Sequence, residues 1–116
     1  MNEPATTADS LRAESCRHRD AALDAAAVTA LLALLPGWAE VDGGIERDYR
    51  FRDFDETIAF VNRIAAMANA EDHHPRMEVE YASCRLRWST HSAGGLTRND
   101  FVCAAKSDGS HGRGRP

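Results

Sequence analysis

The apolar positions of this chain switch between helical and strand spacing, and each switch marks an element. Residues 1–22 are polar apart from Leu11, so the pattern predicts a flexible N-terminal segment, with His18 carrying no signal. In DAAAVTALLALLPGW, Val28, Leu31, Leu32 and Leu35 share one face at helical spacing. Asp24 is the expected N-cap and Pro36-Gly37 the stop. Two short strands then flank Asp42-Gly43-Gly44, a turn signature that supplies residues tolerant of positive φ. In the second strand Ile45, Tyr49 and Phe51 share a face with Arg47, while Glu46, Asp48, Arg50 and Arg52 take the other.

Helical spacing returns in DFDETIAFVNRIAAMANAED. Asp53 and Glu56 have the spacing of a capping box, and Phe54, Ile58, Val61, Ala65 and Ala68 form the expected buried stripe. Pro75 excludes His74 from the α region, so this helix ends before it. Strict alternation follows: Met77, Val79 and Tyr81 against Glu78 and Glu80, then Cys84, Leu86 and Trp88 against Arg85 and Arg87. A two-residue turn at Ala82-Ser83 predicts a hairpin pairing Glu80 with Arg85 and Glu78 with Arg87, and Val79 with Leu86 and Met77 with Trp88. Ser92–Gly95 is a loop, and Thr97 with Asp100 forms a TxxD box opening a last helix. The Gly-rich residues 107–116 read as a disordered tail. The domain is thus expected over 23–106. Its class is α+β, a four-stranded antiparallel sheet with helices packed on one face, in the order α-β-β-α-β-β-α.

Composition narrows the function. A length of 116 residues suits one small domain. A formal charge of −4 supplies no basic field and argues against nucleic acid. No apolar run nears the ~20 residues of a membrane span, and MNEPATTADS lacks the basic and apolar regions of a signal peptide. Three cysteines without CxxC spacing point to free thiols and a cytoplasmic location.

Candidate chemistry centres on EDHHPRMEVEY, residues 71–81. Adjacent residues in extended chain face opposite ways, so His73 and His74 are poorly placed to bind one metal, and HExxH spacing is absent. A plainer reading makes them the C-terminal punctuation of a helix, where a cation suits the dipole. His91 changes that balance. The third strand begins where the fourth ends, which returns His91 to the neighbourhood of His73 and His74, beside a glycine loop open to a ligand. Imidazoles suit general acid–base work near neutrality. The TxxD box alone accounts for Asp100, though a carboxylate near His91 also suits orienting its ring. Met77, Trp88, Phe54 and Phe60 read as core, and the outward Arg85, Arg87, Glu78 and Glu80 as a solvated or subunit-facing surface.

Taken in order and spacing, LPGW, IERDYRFRDFDETIAFVNRIA, HHP and THSAGGLTRND resemble the pterin-4a-carbinolamine dehydratases, from about Leu31 to Phe101. The resemblance implies dehydration of 4a-hydroxytetrahydropterin to quinonoid dihydropterin, in tetrahydrobiopterin recycling. It implies that His73, His74, His91 and Asp100 are catalytic and that Pro75, Thr90, Ser92 and Ala93 contact the pterin. No metal, redox carrier or other cofactor is expected, and the partners implied are the pterin and further copies of the chain, as a dimer or tetramer. Three positions depart from the family's pattern. Asn69 stands where many members have an acid, Met77 where an aromatic is common, and the last helix fades at Lys106. The alternative function is a non-catalytic dimerisation or assembly partner of the same fold.

Overall fold

A computed structural model describes residues 5–113. The helices are α1 (Ala8–Ala13), α2 (Ala25–Leu32), α3 (Phe54–Glu71) and α4 (Arg98–Arg113). The strands are β1 (Ala39–Val41), β2 (Gly44–Arg50), β3 (Arg76–Glu80) and β4 (Ser83–Trp88), with a 3₁₀ turn at His91–Ala93. The strands form one antiparallel sheet in the order β1-β2-β4-β3. The expected α+β class is therefore found, with one helix added at the front.

Local chemistry sets the element ends. Asp24 Oδ1 accepts the Ala27 N–H at 2.8 Å, and Asp53 Oδ1 accepts the Glu56 N–H at 2.9 Å. Glu56 does not close the box on Asp53; its carboxylate takes the Arg52 N–H at 3.0 Å. At its C-terminus α3 unwinds through Asp72 in the left-handed region (φ 52°), and the His73 N–H donates to Ala68 O at 3.2 Å. Pro75 then commits the chain to β3.

One sheet face is buried through Ile45, Tyr49, Cys84, Leu86 and Trp88, packed with Phe60 and Ile64 of α3 and Phe101, Val102 and Ala105 of α4. The other face carries a ladder of charge, with Arg85 at 2.9 Å from Asp48 and 3.6 Å from Glu78, and Arg87 at 2.9 Å from Glu46.

The register of the second hairpin differs from the expected one by two residues. The turn is Tyr81-Ala82, which sets Met77 opposite Leu86, Glu78 opposite Arg85 and Glu80 opposite Ser83. The faces survive because two is the strand period. Tertiary contacts choose the turn: Phe51 N–H donates to Ala82 O at 2.8 Å, the Thr57 hydroxyl lies 2.9 Å from Tyr81 O, and Tyr81 stacks on Phe54. The buried stripe of α3 is likewise shifted, to Thr57, Phe60, Ile64 and Ala68, leaving Phe54 46% exposed. Thr57 disguises that stripe, and its hydroxyl makes burial tolerable by reaching Asp53 O and Tyr81 O.

Both termini are more ordered than the pattern predicts, over the residues described; 1–4 and 114–116 lie outside them. Residues 8–13 form α1, capped by Thr7, with Leu11 fully buried. Arg12 and Lys106 tie it to α4 through Ala105 O (3.4 Å) and Arg12 O (2.8 Å), and Glu14 pairs with Arg98 at 2.6 Å. The segment read as a tail from 107 instead continues α4 to Arg113. Its polar residues meet polar partners on the buried face of the sheet. Asp108 accepts from Arg47 Nη1 at 2.9 Å, Trp38 Nε1 at 3.1 Å and Tyr49 OH at 2.5 Å. Ser107 accepts from Trp88 Nε1 at 3.2 Å, and His111 packs among Tyr49, Phe51 and Phe60. Burial first, then the Asp108 charge, pushes the Tyr49 phenol well above its ordinary range.

Candidate acid–base site

Three segments deliver the expected site residues: the α3–β3 junction (His73, His74, Pro75), the end of β4 with its 3₁₀ turn (Thr90–Ala93), and the first turn of α4 (Asp100). The antiparallel pairing of β3 with β4 brings the first two together, and α4 packs beneath them.

Asp100 is fully buried and divides its oxygens between two tasks. Oδ2 accepts the Thr97 N–H at 2.9 Å and the Thr90 hydroxyl at 2.8 Å, which caps the helix and binds it to the end of β4. Oδ1 lies 2.7 Å from His73 Nε2. The cap reading thus accounts for one oxygen and leaves the other for the imidazole. The Thr97 hydroxyl is spent on Thr90, 2.8 Å away, rather than on the helix N-terminus. Three donors converging on two oxygens suit a carboxylate, which only accepts. Against an ionised Asp100 the hydrogen of this bond belongs to His73 Nε2. The His73 ring is held a second way, stacked on buried Trp88 at 5.5 Å and 21°. Its side chain is 14% exposed, enough to meet a ligand.

His74 and His91 are placed differently. His74 Nε2 lies 3.0 Å from Asn69 Oδ1, so a neutral amide holds this ring. The two adjacent imidazoles therefore pair with different partners, Asp100 and Asn69. His91 stands exposed at the head of the 3₁₀ turn. The alternative that Asp100 orients His91 is not what the geometry shows, since its free oxygen lies against His73. Pro75 is half-buried at the head of β3, and the Ala93 N–H closes the turn onto Thr90 O at 3.1 Å.

His73 opens into a cleft of about 310 Å³ lined by Cys16, Arg17, His18, Arg19, Glu71, Asp72, His73, Thr90, Ser92 and Asn99. This is at the small end of volumes that hold small molecules. His74 and His91 are chain neighbours of its lining rather than part of it. Two larger hollows lie elsewhere, about 490 Å³ between Arg12, Arg63 and Lys106 and about 550 Å³ against Arg47, Asp48 and Arg85. No imidazole stands among their described lining residues, whereas His73 lines the smaller cleft.

Among the ten lining residues, only His73, Thr90 and Ser92 have a role in the sequence pattern; the other seven have none. The strap 14–23 crosses the mouth in a fixed path. Glu71 Oε1 accepts the Cys16 N–H at 2.7 Å. The Asn99 amide accepts from Arg17 N at 3.2 Å and Arg19 Nε at 3.2 Å, and donates to Arg17 O at 2.6 Å. Leu23 N–H donates to Leu96 O at 2.8 Å. These are polar, long-range contacts with no period to betray them; buried Leu11 is the one hint that the segment docks.

Fold and site together define a small α+β protein with a buried carboxylate–imidazole pair at the mouth of a cleft. Residues 21–110 match the family described as Pterin 4 alpha carbinolamine dehydratase, and the chain belongs to that family. A Chromobacterium violaceum protein named "Putative pterin-4-alpha-carbinolamine dehydratase" is 52% identical over 81 residues, covering 70% of this chain and 75% of its own. A Nitrosospira multiformis protein of the same name is 39% identical over 106 residues, covering 89% and 94%. Among solved structures, a transcriptional coactivator/pterin dehydratase from Brucella melitensis superposes with a TM-score of 0.75 at 30% identity, over 78% of this chain and 98% of its own. A pterin dehydratase-like protein identified as a RuBisCO assembly factor in the alpha-carboxysome shares the fold, with a TM-score of 0.56 at 17% identity, over 65% and 87%.

Proposed function

We propose that this protein dehydrates pterin-4a-carbinolamine, 4a-hydroxytetrahydrobiopterin in the recycling of tetrahydrobiopterin, to the quinonoid dihydropterin and water. The observation that carries the reading is the bond between His73 Nε2 and buried Asp100, at the mouth of a cleft of pterin-binding scale. In the reaction the C4a–O bond breaks, the C4a=N5 bond forms, the N5 proton passes to a base, and the hydroxyl leaves as water with a proton from an acid. His73 is the base in this scheme, because the Asp100 carboxylate fixes its tautomer and stabilises the imidazolium that forms. His91 and His74, exposed beside the cleft, supply and return the proton of the departing hydroxyl. Pro75, Thr90, Ser92 and Ala93 hold the ring, with Ser92 and Thr90 already on the cleft wall. Each positioned group contributes roughly 10²–10⁴-fold by this chemistry.

We further assign a cytoplasmic location and a homo-oligomer, dimer or tetramer. Strands β1 and β3 are the sheet edges and expose Val41 (39%) and Val79 (40%) there, where a second copy could cover them. The non-catalytic alternative, an assembly partner like the carboxysomal relative, gives no reason for a buried carboxylate aimed at an imidazole. The test is the decay of chemically generated 4a-hydroxytetrahydropterin with and without the protein. Acceleration over the spontaneous rate supports the enzyme; an unchanged decay refutes it.

A further inference from the structure

The strap along the cleft carries a thiol that nothing in the dehydration uses. Cys16 Sγ lies 3.4 Å from Cys103 Sγ, 87 positions further along the chain, and both are free thiols. Cys103 is fully buried on α4, one turn beyond Asp100, whereas Cys16 is half-buried on the wall of the cleft. The main chain on both sides of the pair is fixed, by the Cys16 N–H bond to Glu71 and the clasp of Asn99 on Arg17. We infer that Cys16 and Cys103 form a reversible oxidation site, in which a small hydroperoxide entering the cleft converts the pair to a disulfide that locks the strap to α4.

The two cysteines have separate parts. A hydrogen bond between the two sulfurs holds Cys16 below the usual thiol range, against partial burial and the nearby Glu71 charge. The same bond, with burial, pushes Cys103 far above it. Cys16, the sulfur that reaches the cleft wall, is the attacking group, and fully buried Cys103 is the resolving thiol. In the first step the Cys16 sulfur attacks the hydroperoxide, the S–O bond forms, the O–O bond breaks, and the departing oxygen leaves with a proton. In the second, Cys103 sulfur attacks Cys16, the S–S bond forms, and the sulfenic oxygen leaves as water with the Cys103 proton. Two thiols are oxidised by two electrons and one hydroperoxide is reduced. The sulfurs must close by about 1.4 Å to reach bonding distance, a closure left to side-chain rotation because the main chain on both sides is held. Cys84 is the internal control: burial pushes its thiol up to about 11, and it lies in the sheet away from the pair.

The inference does not depend on the reaction assigned to the cleft, and its test reads no turnover. Full-length protein is treated with low hydrogen peroxide, quenched with an alkylating agent and mapped by peptide mass. The expected result is one cross-linked peptide joining Cys16 to Cys103, a mass lower by two hydrogens, and Cys84 unchanged. A thiol reductant restores both cysteines. The thermal midpoint of the oxidised protein rises by on the order of 10 °C, because a long loop is closed. Cys16→Ser and Cys103→Ser abolish both the cross-link and the shift. Hyperoxidised Cys16 beside a free Cys103, or disulfides only between chains, overturns the assignment. The wild-type map decides the matter even if a variant folds poorly.

Discussion

The substitution Asp100→Asn isolates the bond on which the acid–base site rests. Asparagine keeps the shape and one acceptor oxygen, which can still take the Thr97 N–H and Thr90 hydroxyl now at 2.9 and 2.8 Å. Its amide nitrogen then faces His73 Nε2 across the 2.7 Å now spanned by a charge-assisted bond. Two donors cannot share that space, so the ring must turn or adopt the opposite tautomer. Bonds to a charged group are worth about 1.5–3 kcal/mol, and a misdirected tautomer removes the ~10²–10⁴-fold contribution of one positioned base. We expect kcat for 4a-hydroxytetrahydropterin to fall by about 10²–10³-fold on that principle, with KM changed far less. Denaturant unfolding should show a loss of roughly 1–2 kcal/mol, since the cap survives and only the charge is gone. A stopped-flow assay at several pH values reads the rate. A variant that retains wild-type kcat across that range would refute the idea that Asp100 acts through His73.

Other consequences are checked separately. Asp108→Ala strands the Tyr49 hydroxyl and the Trp38 indole and removes the ion pair of Arg47, and should cost about 2–5 kcal/mol of unfolding free energy, as should truncation after Lys106. Replacing Asn69 by Glu sets a carboxylate beside His74; the pH–rate profile should move to higher pH, and an unmoved profile would exclude His74 from proton transfer. Arg98, by hydrogen bond and then by charge, holds Glu14 below its ordinary 4.5. That contribution is complete above pH 4.5 and is lost as pH falls through the lower folded value. Hydrogen exchange should accordingly show the strap loosening on acidification, and Glu14→Gln abolishes this dependence.

How much of this could be read from the chain depends on where each signal resides. Period-two alternation from Met77 to Trp88 gave the hairpin and its faces, because parity alone decides which side is buried. It could not give the register, since a two-residue slip leaves parity unchanged and the choice falls to Thr57, Phe51 and Phe54. The α3 stripe departs from the apolar period because a satisfied threonine, Thr57, takes an apolar residue's place at its head. Residues 107–113 look disordered by composition, yet Ser107, Asp108 and His111 each answer a polar or aromatic group on the sheet. In the site, the strand connection foretold that the segments of His73 and His91 would meet. Which imidazole receives Asp100 was not foretold, because that depends on side-chain reach across the start of α4. The strap residues Cys16–Arg19 were invisible, their contacts being to Glu71 and Asn99 far along the chain.

The turnover of His73→Gln tests the central claim most directly. Glutamine can still donate a hydrogen bond to Asp100 and fill the space on Trp88, but it cannot exchange a proton near neutrality. With pterin binding followed by fluorescence in the same samples, the account predicts retained binding and a loss of at least about 10²-fold in dehydration rate. Wild-type turnover by this variant would contradict it.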